Sequence, residues 1–143
     1  MINNHEKDEK TTALFAYTQP KDMWNDEWIQ TKIASGFKNA FSIFVPGMSP
    51  GFCYAMWPKV SDEGKSPPHV VIAGDGDYSA HILTRTDTLT YDRDLIKNEK
   101  GTVGALAWSD LDGDNWNELW VANYDKGFIE LFKFSEAPSV FMQ

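Results

Sequence analysis

The sequence predicts an all-β protein, and three observations carry that prediction. Its apolar residues fall in short runs rich in valine, isoleucine, threonine and aromatics, not at the spacing of a helical face. Glycine, proline, asparagine and aspartate punctuate those runs. Two of the runs recur with the turn between them, a step of 49 residues separating Ile82 from Leu131. No stretch carries the period of a helix.

The elements follow in chain order. Residues 1–11 have no periodicity and are expected to be a frayed end. Ala13 to Thr18 and Trp28 to Ile33 are strand-like, and the polar turn from Pro20 to Asp26 makes them a hairpin. Phe41 to Val45 is a further apolar run, closed by Pro46 and Gly47. Residues 46–68 hold five prolines and three glycines and form an excursion, within which Gly51 to Trp57 is a short strand. Pro68 to Ala73 has the apolar continuity of a buried strand, followed by Gly74-Asp75-Gly76-Asp77. Ser79 to Thr84 and Thr88 to Ile96 are the next strands. Gly101 to Trp108, Glu118 to Ala122 and Phe128 to Phe134 complete the set, and 136–143 is a tail.

The repeat specifies the all-β class further. Val71-Ile72-Ala73 followed by His81-Ile82-Leu83 parallels Trp120-Val121-Ala122 followed by Glu130-Leu131-Phe132. Leu14-Phe15-Ala16-Tyr17-Thr18 matches Leu131-Phe132-Lys133-Phe134-Ser135, and the longer step of 68 residues from Leu14 to Ile82 contains the proline-rich excursion. Steps of ~40–50 residues with four short strands are the pattern of propeller blades. The chain parses as an incomplete ring, a partial β-propeller over 12–135 with blade parts at about 12–33, 40–98 and 102–134. An open array leaves blade faces and strand edges bare, so either a longer propeller or self-association is expected to complete it.

Composition narrows function. The 143 residues are of single-domain length, with 42% hydrophobic residues to build a core. Thirteen Lys and Arg against 21 Asp and Glu give a net charge of −8, which argues against nucleic acid or an anionic membrane as partner. No apolar run is long enough to span a bilayer. The charged start, Met1 to Lys10, lacks the apolar middle of a signal peptide, so the chain is expected to be cytosolic or an internal piece exported by a signal elsewhere. The one cysteine, Cys53, can form no internal disulfide and is expected to be a small buried hydrophobe.

The chemistry concentrates in Ser109-Asp110-Leu111-Asp112-Gly113-Asp114-Asn115-Trp116-Asn117-Glu118. Four carboxylates in one tight loop repel one another unless a cation sits among them. Calcium, which takes about six to eight oxygen ligands in irregular geometry, suits Asp110, Asp112, Asp114 and Glu118, with the Trp116 carbonyl between them. An EF-hand would need glycine at its sixth position and a carboxylate at its twelfth, where this loop has Asn115 and Val121. An acidic turn without metal is the competing reading.

Asp110-Leu111-Asp112-Gly113-Asp114-Asn115-Trp116-Asn117-Glu118-Leu119 closely resembles the calcium loop of FG-GAP or VCBS-type repeats, the blades of integrin-alpha-like and many secreted sugar-binding propellers. That family usually has glycine where Asn115 stands, and asparagine tolerates a left-handed backbone well. The resemblance implies one structural calcium, and a location outside the cell, where calcium is abundant. Within that class, Ala73-Gly74-Asp75-Gly76-Asp77 with Gly101 to Leu106 is similar to the propeller part of the fungal aldos-2-ulose dehydratase family, which implies a sugar lyase.

Gly74-Asp75-Gly76-Asp77 lacks the lysine and helix of a phosphate loop and reads as a β-turn, with Asp75 or Asp77 able to meet a metal or sugar. His81 alternates with Ala80 and Ile82 and reads as a packed histidine, as does His69; as a ligand contact His81 is the alternative. Trp57 and Tyr54, in the excursion, are candidates to stack on a sugar. No Ser/His/Asp arrangement or two-histidine metal spacing occurs. The sequence therefore implies a calcium-stabilised propeller segment that binds a glycan or a protein. The alternative is a piece of a carbohydrate lyase whose catalytic residues lie partly outside the chain.

Overall fold

The computed structural model describes residues 12–37, 51–74, 76, 78–98 and 101–135. Among them nine strands form three small antiparallel sheets. The first sheet pairs β1 (Ala13–Thr18) with β2 (Ile29–Ser35). The second runs β3 (Phe52–Met56), β4 (His69–Ala73), β5 (Ser79–Asp87) and β6 (Thr90–Asn98) in chain order. The third runs β7 (Val103–Ser109), β8 (Glu118–Asn123) and β9 (Phe128–Lys133). A one-turn 3-10 helix at Val60–Asp62 is the helical element of the described residues, so no described helix is long and apolar enough to cross a membrane.

The chain is thus all-β, its sheets holding two, four and three strands. Among the described residues they close into neither a barrel nor a ring. The run at Phe41–Val45 lies outside the described residues, as do Asp75 and Asp77. One boundary differs from expectation: β5 continues through Arg85, Thr86 and Asp87 to a tight turn at Thr88 and Leu89. Backbone pairing extends there beyond the apolar run, because ladder hydrogen bonds do not need buried side chains. Leu89 takes a φ of +59°, a conformation usually marked in sequence by glycine or asparagine.

The second sheet lies between the other two because its strands are apolar on both faces. Side chains alternate along a strand, so Val71, Ala73, Ala80 and Ile82 share one face and Ile72, His81 and Leu83 the other. The first set packs on Val103, Leu106, Leu119, Val121 and Phe132 of the third sheet. The second set meets Leu14 and Phe37, with Ile33 and Ala34 beside them. Phe37 is fully buried, its ring edge-on to His81 at 5.5 Å and beneath the Arg93 guanidinium at 5.0 Å.

The repeat sorts these faces. Val71, Ala73 and Ile82, which the third sheet covers, correspond to Trp120, Ala122 and Leu131. These residues lie on the outer face of the third sheet with Ala105, Ala107 and Ile129. Ile129 is 63% exposed and Leu131 46%, so an apolar sheet face meets solvent here. Cys53 corrects an expectation: it is exposed. It lies on β3, an edge strand, whereas the first sheet leans on the far side of the second, where β2 meets β6.

Leu119 is fully buried on β8, paired with Trp108 on one side and Phe132 on the other. Leu119→Ala is expected to cost about 3 kcal/mol in urea denaturation, the usual loss for a leucine cavity. A loss under about 1 kcal/mol would contradict this packing.

Candidate metal centre

The acidic loop joins β7 to β8 and is built by its own carboxylates. Gly113 and Asn115 donate their backbone N–H groups to Asp110, at 2.8 Å to Oδ1 and 3.0 Å to Oδ2. Asp112 Oδ1 accepts from the Asp114 N–H at 3.2 Å, and Asp114 Oδ1 from the Trp116 N–H at 2.9 Å. Such aspartate turns hold a chain that has no ladder of its own. Gly113 and Asn115 supply the left-handed residues, at φ +77° and +74°. Asparagine stands where the FG-GAP pattern has glycine and adopts the conformation that glycine would.

Asp110, Asp112 and Glu118 each bring a carboxylate oxygen within 4.8 Å of the others. This cluster could hold a metal ion. Glu118, the first residue of β8, has a side chain only 4% exposed. Its Oε2 accepts the Leu111 N–H at 2.9 Å, while Oε1 has no hydrogen-bond partner. A buried carboxylate oxygen in that state is costly unless a cation faces it. The donor set is all oxygen, which fits a hard cation such as calcium or magnesium and not a thiolate- or imidazole-seeking one.

A cation of the protein's own reaches the same place. Glu118 pairs with Lys133 in the β8–β9 ladder, and the Lys133 ammonium lies 2.5 Å from Asp112 Oδ2, 2.8 Å from Asp114 Oδ2 and 3.5 Å from Glu118 Oε1. Asp112 and then Asp114 raise the lysine pKa above its ordinary 10.5. Lys133 in turn, followed by the Trp116 N–H, holds Asp114 below its ordinary 3.8. Asp114 points to the lysine and stands outside the trio of converging carboxylates. Trp116 presents its N–H to Asp114.

The excursion clasps this loop from the other side. Val60 N–H donates to the Asn115 carbonyl at 3.0 Å, and Asn117 N–H to the Pro58 carbonyl at 2.7 Å, making an isolated bridge between Lys59 and Trp116. Asn115 extends its side chain to Ser61, Oδ1 accepting the Ser61 N–H at 3.1 Å and Nδ2 donating to Ser61 Oγ at 3.1 Å. Asn117 Nδ2 donates to the Trp57 carbonyl at 2.7 Å, and Lys59 lies 5.1 Å from the centre of the Trp116 ring. Sequence reasoning missed Ser61, Asn117 and Lys133. Only for Asn115, an amide where a calcium loop prefers glycine, was there a signal.

The other candidates do not gather at one place. Tyr54 packs edge-on against Trp108 with ring centres 6.0 Å apart, on the face shared with Val71. His81 is 7% exposed, in the core on the opposite face of that sheet. Trp57 is half-buried and donates its indole N–H to the Ser66 carbonyl at 2.6 Å. His69 contacts Thr84 Oγ1 through Nδ1 at 3.5 Å, and burial lowers its pKa. Comparison with protein-family models, curated proteins and solved structures finds no match for this chain.

The Asp114–Lys133 pair carries a pH signature. A carboxyl depressed by the fold adds stability above its unfolded pKa and loses it as the pH falls through the depressed value. In metal-free buffer, stability is therefore expected to fall more steeply below about pH 4 in the parent than in Asp114→Asn. Parallel declines in denaturant titrations would show that the pair adds nothing.

Proposed function

We propose that the chain is a calcium-braced β-sheet module of the FG-GAP or VCBS type, whose metal loop fixes a recognition surface for a glycan or a protein. The observation that carries the reading is the convergence of Asp110, Asp112 and Glu118 around the buried, hydrogen-bond-free Glu118 Oε1. Calcium is favoured over magnesium because a short, irregular loop cannot easily supply near-ideal octahedral geometry. The metal's part is structural: it would tie the end of β7 to the start of β8. The excursion bound to Asn115 and Asn117 would be fixed with them.

The sequence resemblance supports the same reading and brings with it a location outside the cell. The recognition surface is assigned to the excursion around Trp57 to Ser66, since it is exposed and rests directly on the metal loop. Calorimetric titration with calcium is expected to show saturable binding, at least tenfold weaker in Asp112→Asn, with a rise in melting temperature on binding. An unchanged isotherm in the variant would sink the assignment.

The uncovered outer face of the third sheet favours a second element of this reading, completion of the stack by self-association when the chain is alone. Light scattering is expected to give a mass above the 16.2 kDa of one chain, returning to that value in Leu131→Lys. A parent that stays monomeric at tens of micromolar would overturn it.

A further inference from the structure

We infer that Lys133 is a built-in competitor for the metal, a tethered cation that holds the loop together until a divalent ion displaces it. The inference rests on the metal-loop reading and deepens it. The ammonium lies among Asp112, Asp114 and Glu118 at 2.5, 2.8 and 3.5 Å. Two of these three residues belong to the converging trio with Asp110. A calcium ion needs carboxylate oxygens at about 2.3–2.6 Å, so it would claim the oxygens that the lysine now holds. Two cations cannot share that space without strong repulsion.

The geometry also provides an exit. Lys133 is the last residue of β9, and its side chain is 43% exposed, so the flexible stem can swing the ammonium into water. Glu118 Oε1 cannot follow it, being buried on the strand. The site is therefore never an uncompensated group of acids, and its affinity for calcium is lower than its carboxylates alone would give. The competition moves the midpoint of calcium binding to a higher calcium concentration.

Calcium chloride titrations of the parent, Lys133→Gln, Lys133→Met and Asp112→Asn test the inference, with melting curves of each in chelator. Both lysine variants are expected to bind calcium at least tenfold more tightly than the parent and, in chelator, to melt at lower temperature. The gap in melting temperature should close when calcium is added. Lysine variants that bind no more tightly than the parent, while Asp112→Asn loses binding, would overturn the competitor role and leave the metal loop standing. Absence of binding in parent and lysine variants alike would overturn both.

Discussion

Everything around residues 110–118 depends on the need to neutralise a buried carboxylate. Glu118 opens β8, the central strand of its sheet, and its neighbour Leu119 is at the bottom of the core. The strand cannot move outward to hydrate the carboxylate without dragging Leu119 and Val121 from the core they share with the second sheet. Desolvation of an unpaired carboxylate costs several kcal/mol, so the surrounding chain is arranged to bring positive charge and donors to it. The Leu111 N–H satisfies one oxygen, and the other faces the space that either Lys133 or a metal can fill. Asp110 and Asp112 sharpen that demand, because each brings a carboxylate oxygen within 4.8 Å of one on Glu118.

This constraint explains why the excursion is not a loose insertion. The loop spends its aspartates on its own backbone, which leaves Asn115 and Asn117 to bind outward. Both reach residues 57–61, more than fifty positions earlier. A glycine at 115 would give the backbone conformation and lose the amide that grips Ser61. Acidic loop and excursion are therefore one mechanical unit, joined through the bridge at Lys59 and Trp116.

The strands were legible because apolar runs, β-branched residues and turn formers agreed with one another over most of the chain. The hairpin of β1 and β2, the short strand β3 within the excursion and the loop's position between β7 and β8 all follow from local signals. What could not be read depends on register. Lys133 meets the acidic loop because it is opposite Glu118 in a ladder, and no local pattern in Phe128 to Phe134 marks that lysine as different from one facing water. Leu89 hides a turn by lacking turn chemistry, and the exposure of Cys53 has no local signal because on an edge strand it depends on which neighbouring sheet fails to reach it. His81 is placed on a sheet face by its alternation with Ile82, but it is the packing of Leu14 and Phe37 that makes that face interior.

The repeat adds a constraint that a single sheet would not show. Ile72, His81 and Leu83 turn toward the sheet that precedes them in the chain, and the equivalent Val121 and Phe132 do the same one sheet later. Ile82 and Leu131 then face the following position, which for Ile82 is occupied and for Leu131 is not. The same alternation is therefore written into both copies, although among the described residues only one copy buries it. An alanine-rich face carrying Trp120, Ile129 and Leu131 is poorly suited to water and well suited to close approach by another sheet. The acidic loop is at one end of that face, since Glu118 and Lys133 continue the same rows as Trp120 and Leu131. The cation that faces Glu118, the Lys133 ammonium or a metal in its place, thus also sets the charge at the edge of this apolar face.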